Sequence, residues 1–85
     1  MNKATLINGE EWEGLFINGK LVEEKEVLNE GNDRVKYFLE LAKKYEFNLE
    51  EMNEYWVNDK GDTFLNDYGC FPEKLYDFQG MYELR

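Results

Sequence analysis

Carboxylates are the only chemically capable groups this chain carries in quantity. Nineteen Asp and Glu stand against ten Lys and Arg, a net charge of −9 in 85 residues. There is no His, no Ser and a single Cys, Cys70. The usual general bases, hydroxyl nucleophiles and nitrogen or sulfur metal ligands are therefore scarce or missing. Paired carboxylates divide acid and base roles only inside a cleft that excludes water, and a chain of this length has little room for one. Asp59-Lys60-Gly61-Asp62 with Asp67 lacks the alternating acidic pattern of a calcium loop. There is no phosphate-cradling glycine loop and no Cys/His cluster. No catalytic residue, no metal and no cofactor are expected, and the protein is read as not an enzyme.

The carboxylates are grouped along the chain. Glu10, Glu11 and Glu13 form one group, Glu23, Glu24, Glu26 and Glu30 a second, Glu46, Glu50, Glu51 and Glu54 a third, and Asp59, Asp62 and Asp67 a fourth. One reading is a solvated surface that serves solubility only. The other is an acidic face that imitates the charge of nucleic acid and occupies a partner's basic groove. Either way the field repels nucleic acid and anionic membrane. Direct nucleic-acid binding and membrane binding are not expected. For a protein partner, the residues that would carry binding are Glu10, Glu11, Glu13, Glu23, Glu24 and Glu26 for charge, with Trp12 as the aromatic anchor.

Eight of the fourteen aromatic residues lie between Tyr55 and Tyr82. They serve either as core or as an interface, since Tyr and Trp are favoured at contact hot spots. Base-stacking aromatics belong in a basic groove, and this stretch holds only Lys60 and Lys74 as cations. Cys70 has no cation among its immediate sequence neighbours, so it reads as a small packed residue in a reducing compartment. No apolar run is long enough to span a bilayer and the N-terminus lacks a signal-type apolar region. The chain is expected to be cytoplasmic.

The elements that must position these groups are α+β in a single domain covering residues 1–85. Ile-Asn-Gly occurs twice, at 7–9 and 17–19. Asn-Gly between apolar runs signals a tight hairpin, because a type I′ turn needs positive φ at both central residues. Strands are predicted near 3–7, 11–17 and 20–27, a three-stranded antiparallel meander. A two-residue turn at Asn18-Gly19 puts Phe16 opposite Leu21 and Leu15 opposite Val22. Trp12, Phe16 and Leu21 then share one face, and Leu15 and Val22 the other. Further out it sets Glu13 against Glu24, a like-charge pair. Either that pair serves something other than stability, or the register changes.

A helix is predicted over 33–45, capped by Asn32 or Asp33 and packing Val35, Phe38, Leu39, Ala42 and Tyr45 on the sheet. Residues 47–57 are ambiguous: 51–57 reads as a fourth strand, and 49–52 also reads as a short helical turn. Asp62 is expected to cap a helix over 63–68 that Gly69 ends. Pro72 suits the first turn of a helix over 72–78. Gly80 breaks that helix before a short strand within 81–84.

The short acidic chain, the Trp12-Glu13-Gly14-Leu15-Phe16 strand and the Asn18-Gly19-Lys20-Leu21 hairpin, with the acidic aromatic tail, resemble small phage- and prophage-encoded accessory proteins. Many of those inhibit host or defence nucleic-acid enzymes, some by imitating DNA. The resemblance implies a protein inhibitor acting on a basic nucleic-acid-binding partner in the host cytoplasm. The alternative is a small structural or regulatory domain that self-associates, as a homo-oligomer, through apolar sheet surface or an open edge strand.

Overall fold

The computed structural model describes residues 1–26 and 31–84. Among the described residues, five strands and two helices make an α+β fold. The strands are β1 (Ala4–Asn8), β2 (Trp12–Ile17), β3 (Lys20–Glu26), β4 (Asn53–Val57) and β5 (Tyr82–Glu83). The helices are α1 (Gly31–Tyr45) and α2 (Asp59–Tyr68). The sheet order is β3-β2-β1-β4-β5. The first three strands form the antiparallel meander, β4 runs parallel to β1, and β5 returns antiparallel to β4. Val27 and Glu30 lie outside the described residues.

The second Asn-Gly is the expected turn, with Asn18 at φ 52° and Gly19 at φ 83°. A Cβ on Gly19 would meet nothing within 4 Å, so only the backbone conformation resists substitution there. Gly19→Val is expected to destabilise the protein by about 1–2 kcal/mol, measurable by urea denaturation. No loss would mean that the hairpin does not depend on this turn. The first Asn-Gly behaves differently. Asn8 continues β1, pairs with Glu13, and donates its side-chain amide to Glu54 Oε2 at 2.9 Å and the Tyr55 carbonyl at 3.2 Å. Strand β4 claims this Asn, so the β1–β2 loop closes one residue later, with Gly9 N–H donating to the Trp12 carbonyl at 2.7 Å.

The register also departs from the simple hairpin. Phe16 faces Leu21, but Leu15 faces Glu23, so Val22 is an extra, bulged residue. The bulge moves Gly14 opposite Glu24 and sets Glu13 opposite Lys25. The like-charge pair expected between Glu13 and Glu24 does not form.

Strand alternation divides the core into two layers. On one side Ala4, Leu6, Leu15 and Ile17 pack against Phe38 and Leu41 of α1 and against Phe47. On the other, Ile7 and Phe16 pack against Phe71 and Phe78, with Trp12, Leu21 and the α2 residues Phe64 and Leu65 around them. Gly14 is required here: a Cβ would sit 2.7 Å from the Phe71 ring. Most of the C-terminal aromatics are therefore core, while Tyr68 and Tyr76 are 69% and 75% exposed.

Several local expectations are corrected. Cys70, expected as a small packed residue, is exposed just past the end of α2. Helix α1 is already running at Gly31, so neither Asn32 nor Asp33 is its cap. Its buried stripe is Phe38 and Leu41, with Arg34, Tyr37, Ala42 and Tyr45 half-buried, while Val35 and Leu39 are 58% and 55% exposed. Arg34 turns inward to meet Glu13 at 2.9 Å, and that rotation carries positions 35 and 39 outward. Helix α2 starts a turn early, because the Asn58 side chain accepts from Gly61 N–H at 3.0 Å. It ends, as expected, at Gly69 with φ 72°. Residues 72–78 are not one helix. Leu21 N–H donates to the Glu73 carbonyl and Leu75 N–H to the Gly19 carbonyl. That pairing holds the segment extended along the β3 edge and leaves only a short 3-10 turn, Leu75–Phe78. The ambiguous stretch contains both forms, a 3-10 turn at Leu49–Glu51 followed by β4.

Candidate functional site

The six carboxylates singled out in the sequence do not share one surface. Glu13 is only 3% exposed and lies on the α1 side of the sheet. Its Oε1 accepts from Arg34 Nη1 at 3.1 Å, and Arg34 Nη2 stands 2.9 Å from Oε2. Arg34 Nη2 also reaches Asn8 Oδ1 at 3.5 Å. The pair is a structural clamp between β2 and α1, and Glu13 offers no surface to a partner. Glu23 is half-buried on the same side, where Tyr45 donates its hydroxyl to it and Lys44 Nζ stands 3.5 Å away. Both residues were expected on an exposed charged face, and packing against α1 removes them from it.

The carboxylates that do converge lie on the α2 side. Glu10 and Glu11 in the β1–β2 loop, Glu26 at the end of β3 and Asp62 in α2 line a cleft of about 340 Å³ together with Trp12, Leu65, Asn66 and Gly69. Glu10, Glu11 and Glu26 are exposed, and Trp12 and Asp62 are half-buried. Among the described residues that line it, none is Lys or Arg. Glu24 sits behind this cleft. Its Oε1 accepts from Trp12 Nε1 at 2.8 Å and from the Phe71 N–H at 3.1 Å. That carboxylate fixes the indole and is not available as a free charge. Neutralising it would loosen Trp12 as well as change the field.

Asp62 is the residue the sequence reading missed as part of the site. The sequence places it in the fourth acidic group and as a helix cap but not among the binding residues, and Asn58 takes the cap role instead. The signal was present in Asn58 itself, a good N-cap three residues before Gly61. Chemically the cleft is suited to a cation flanked by apolar surface. Four carboxylates supply attraction, and the indole supplies a flat face for a guanidinium or ammonium group. Among the described residues no group of His, Cys, Asp or Glu is placed to hold a metal ion. No described helix is long and apolar enough to cross a membrane.

Carboxylates also shape the tyrosines on the α1 side. Tyr37 is pushed up first by burial, then by the charges of Glu23 and Glu13. Tyr45 is raised first by its hydrogen bond to Glu23, and Tyr82 mainly by burial. A group whose folded pKa exceeds its unfolded value stabilises the fold below the unfolded pKa, and that contribution is lost as pH rises through the folded one. Denaturation midpoints should therefore hold through neutral pH and fall above about pH 10. Tyr45→Phe should make that fall shallower. Equal slopes for wild type and variant would show that Tyr45 is not perturbed. No protein-family model, no curated protein and no solved structure matches the chain.

Proposed function

We propose that the protein is a non-enzymatic, acidic protein-binding module that captures Lys and Arg side chains of a partner in the Trp12 cleft. The observation that carries this reading is the convergence of Glu10, Glu11, Glu26 and Asp62 around a half-buried indole, in a cleft with no cation among the described residues that line it. The partner of best-matched chemistry is a basic nucleic-acid-binding protein. Its groove would be steered onto the acidic cleft and anchored on Trp12, making this chain an inhibitor in the manner of phage accessory proteins acting in a host cytoplasm. Groove occlusion is favoured over imitation of a phosphate lattice, because Glu13 and Glu23 are tied up on the opposite side of the sheet.

The test is a titration with a Lys/Arg-rich peptide, followed by indole fluorescence. Glu10→Gln/Glu11→Gln/Glu26→Gln should weaken binding about tenfold, at a few tenths of a kcal/mol per exposed charge, and should flatten its salt dependence. Glu46→Gln/Glu50→Gln/Glu51→Gln changes total charge equally at exposed sites away from the cleft and should weaken binding less. Trp12→Phe separates the cleft signal from that of Trp56. Equal losses from the two triple variants would reduce the effect to net charge and overturn the assignment.

A further inference from the structure

Helix α1 presents an outer surface of opposite character to the cleft. Val35 and Leu39 are 58% and 55% exposed, and Lys36 and Lys43 are exposed beside them. At about 100° per residue these four positions fall within an arc of about 100°, away from the buried Phe38 and Leu41. Arg34 and Lys44 are engaged with Glu13 and Glu23, so the cations of this outer arc are Lys36 and Lys43, with the exposed Glu40 beyond its edge. An exposed aliphatic pair flanked by ammonium groups calls for an apolar floor with a carboxylate rim. The Trp12 cleft has that composition, with Trp12 and Leu65 inside a ring of Glu10, Glu11, Glu26 and Asp62.

We infer that the outer face of α1 in one copy docks in the Trp12 cleft of a second copy of this chain. The two surfaces lie on opposite sides of the sheet, since α1 packs on the Leu6–Leu15 layer and α2 on the Ile7–Phe16 layer. A two-fold pair would need both contacts at once between surfaces that face away from each other. The association is therefore head-to-tail and open. It is weak for two reasons. Two aliphatic side chains bury less than a standard interface, and repulsion between chains of net charge −9 opposes growth. This inference rests on the proposed cleft and makes a basic partner a competitor of self-association.

The experiment is sedimentation velocity on the full chain alone, at about physiological salt and rising protein concentration. The weight-average sedimentation coefficient should climb above the monomer value for wild type. Val35→Gln/Leu39→Gln spoils only the helix face, and Glu11→Lys/Glu26→Lys spoils only the cleft. Each should stay monomeric alone. Mixed, they should form a one-to-one complex that grows no further, because each retains one intact surface. All four positions are exposed, and circular dichroism checks that the variants fold. If either does not, Lys36→Glu/Lys43→Glu tests the helix face alone, with loss of association expected. A wild type that is monomeric throughout overturns the inference, as does undiminished association of either variant or a mixture that stays monomeric. A monomeric chain that still binds the Lys/Arg-rich peptide through its cleft overturns self-docking and leaves the proposed function standing.

Discussion

Phe78→Ala is expected to cost about 3–5 kcal/mol, a large share of the roughly 5–15 kcal/mol that holds a small domain folded. Phe78 has no exposed surface. Its ring meets Phe64 of α2 at 5.4 Å, Phe71 at 5.4 Å and Tyr82 of β5 at 6.0 Å. Phe71 in turn meets Phe16 of β2 at 6.0 Å. One side chain thus ties α2, the 3-10 turn, the last strand and the meander together. Truncation leaves a cavity that all of these would have to close. The thermal midpoint should fall by roughly 12–40 °C, at about 4–8 °C per kcal/mol for a domain of this size, or the variant should fail to fold. Phe78→Leu, which fills most of the space, should cost only about 1–2 kcal/mol. Tyr76→Ala, at a position 75% exposed, should stay within about 0.5 kcal/mol. A Phe78→Ala melt close to wild type would mean that the C-terminal segment is an appendage and not half of the core.

That aromatic segment shows where the sequence was legible and where it was not. The Asn18-Gly19 turn is written locally, because positive φ at two successive residues leaves few residue types able to supply it. The two faces of the meander follow from strand alternation, and Trp12, Phe16 and Leu21 do share the α2 layer. The bulge at Val22 has no compositional signature. An apolar residue fits both the regular and the bulged pairing, and the difference emerges only when Glu13 must choose between Glu24 and Lys25. Helix α1 was expected to bury one stripe, Val35, Phe38, Leu39, Ala42 and Tyr45, but the helix face that packs inward carries Arg34, which meets the buried Glu13. The parallel pairing of β1 with β4 joins segments more than forty residues apart, which no local pattern encodes. The acidic clusters were visible as composition. Which carboxylates face outward was decided by α1 for Glu13 and Glu23, and by the Trp12 and Phe71 hydrogen bonds for Glu24.

Arg34→Met should destabilise the protein by about 3–5 kcal/mol, the usual consequence of leaving one member of a buried ion pair alone. The Glu13 side chain is 3% exposed and that of Arg34 is 26% exposed. The two partners are therefore not equivalent. Losing Arg34 leaves a buried carboxylate without its guanidinium, in a small space lined by Leu6, Leu15, Phe38 and Leu41 and, on the β3 side, by Glu23, Glu24 and Lys25. Losing Glu13 leaves a guanidinium that already reaches solvent and lies 4.9 Å over the Phe38 ring. Glu13→Met should accordingly cost less than Arg34→Met. The double variant should be more stable than Arg34→Met alone, because an apolar pair of similar volume needs no desolvated charge. A double-mutant cycle by urea denaturation reads these differences as a coupling energy of about 1–3 kcal/mol. The same cycle bears on function. If the clamp is purely structural, the double variant should bind a Lys/Arg-rich peptide as wild type does, since neither residue lines the Trp12 cleft. Additive single effects would mean that the pair is not coupled. Loss of peptide binding in a stably folded double variant would move Glu13 back into the binding surface, against its burial.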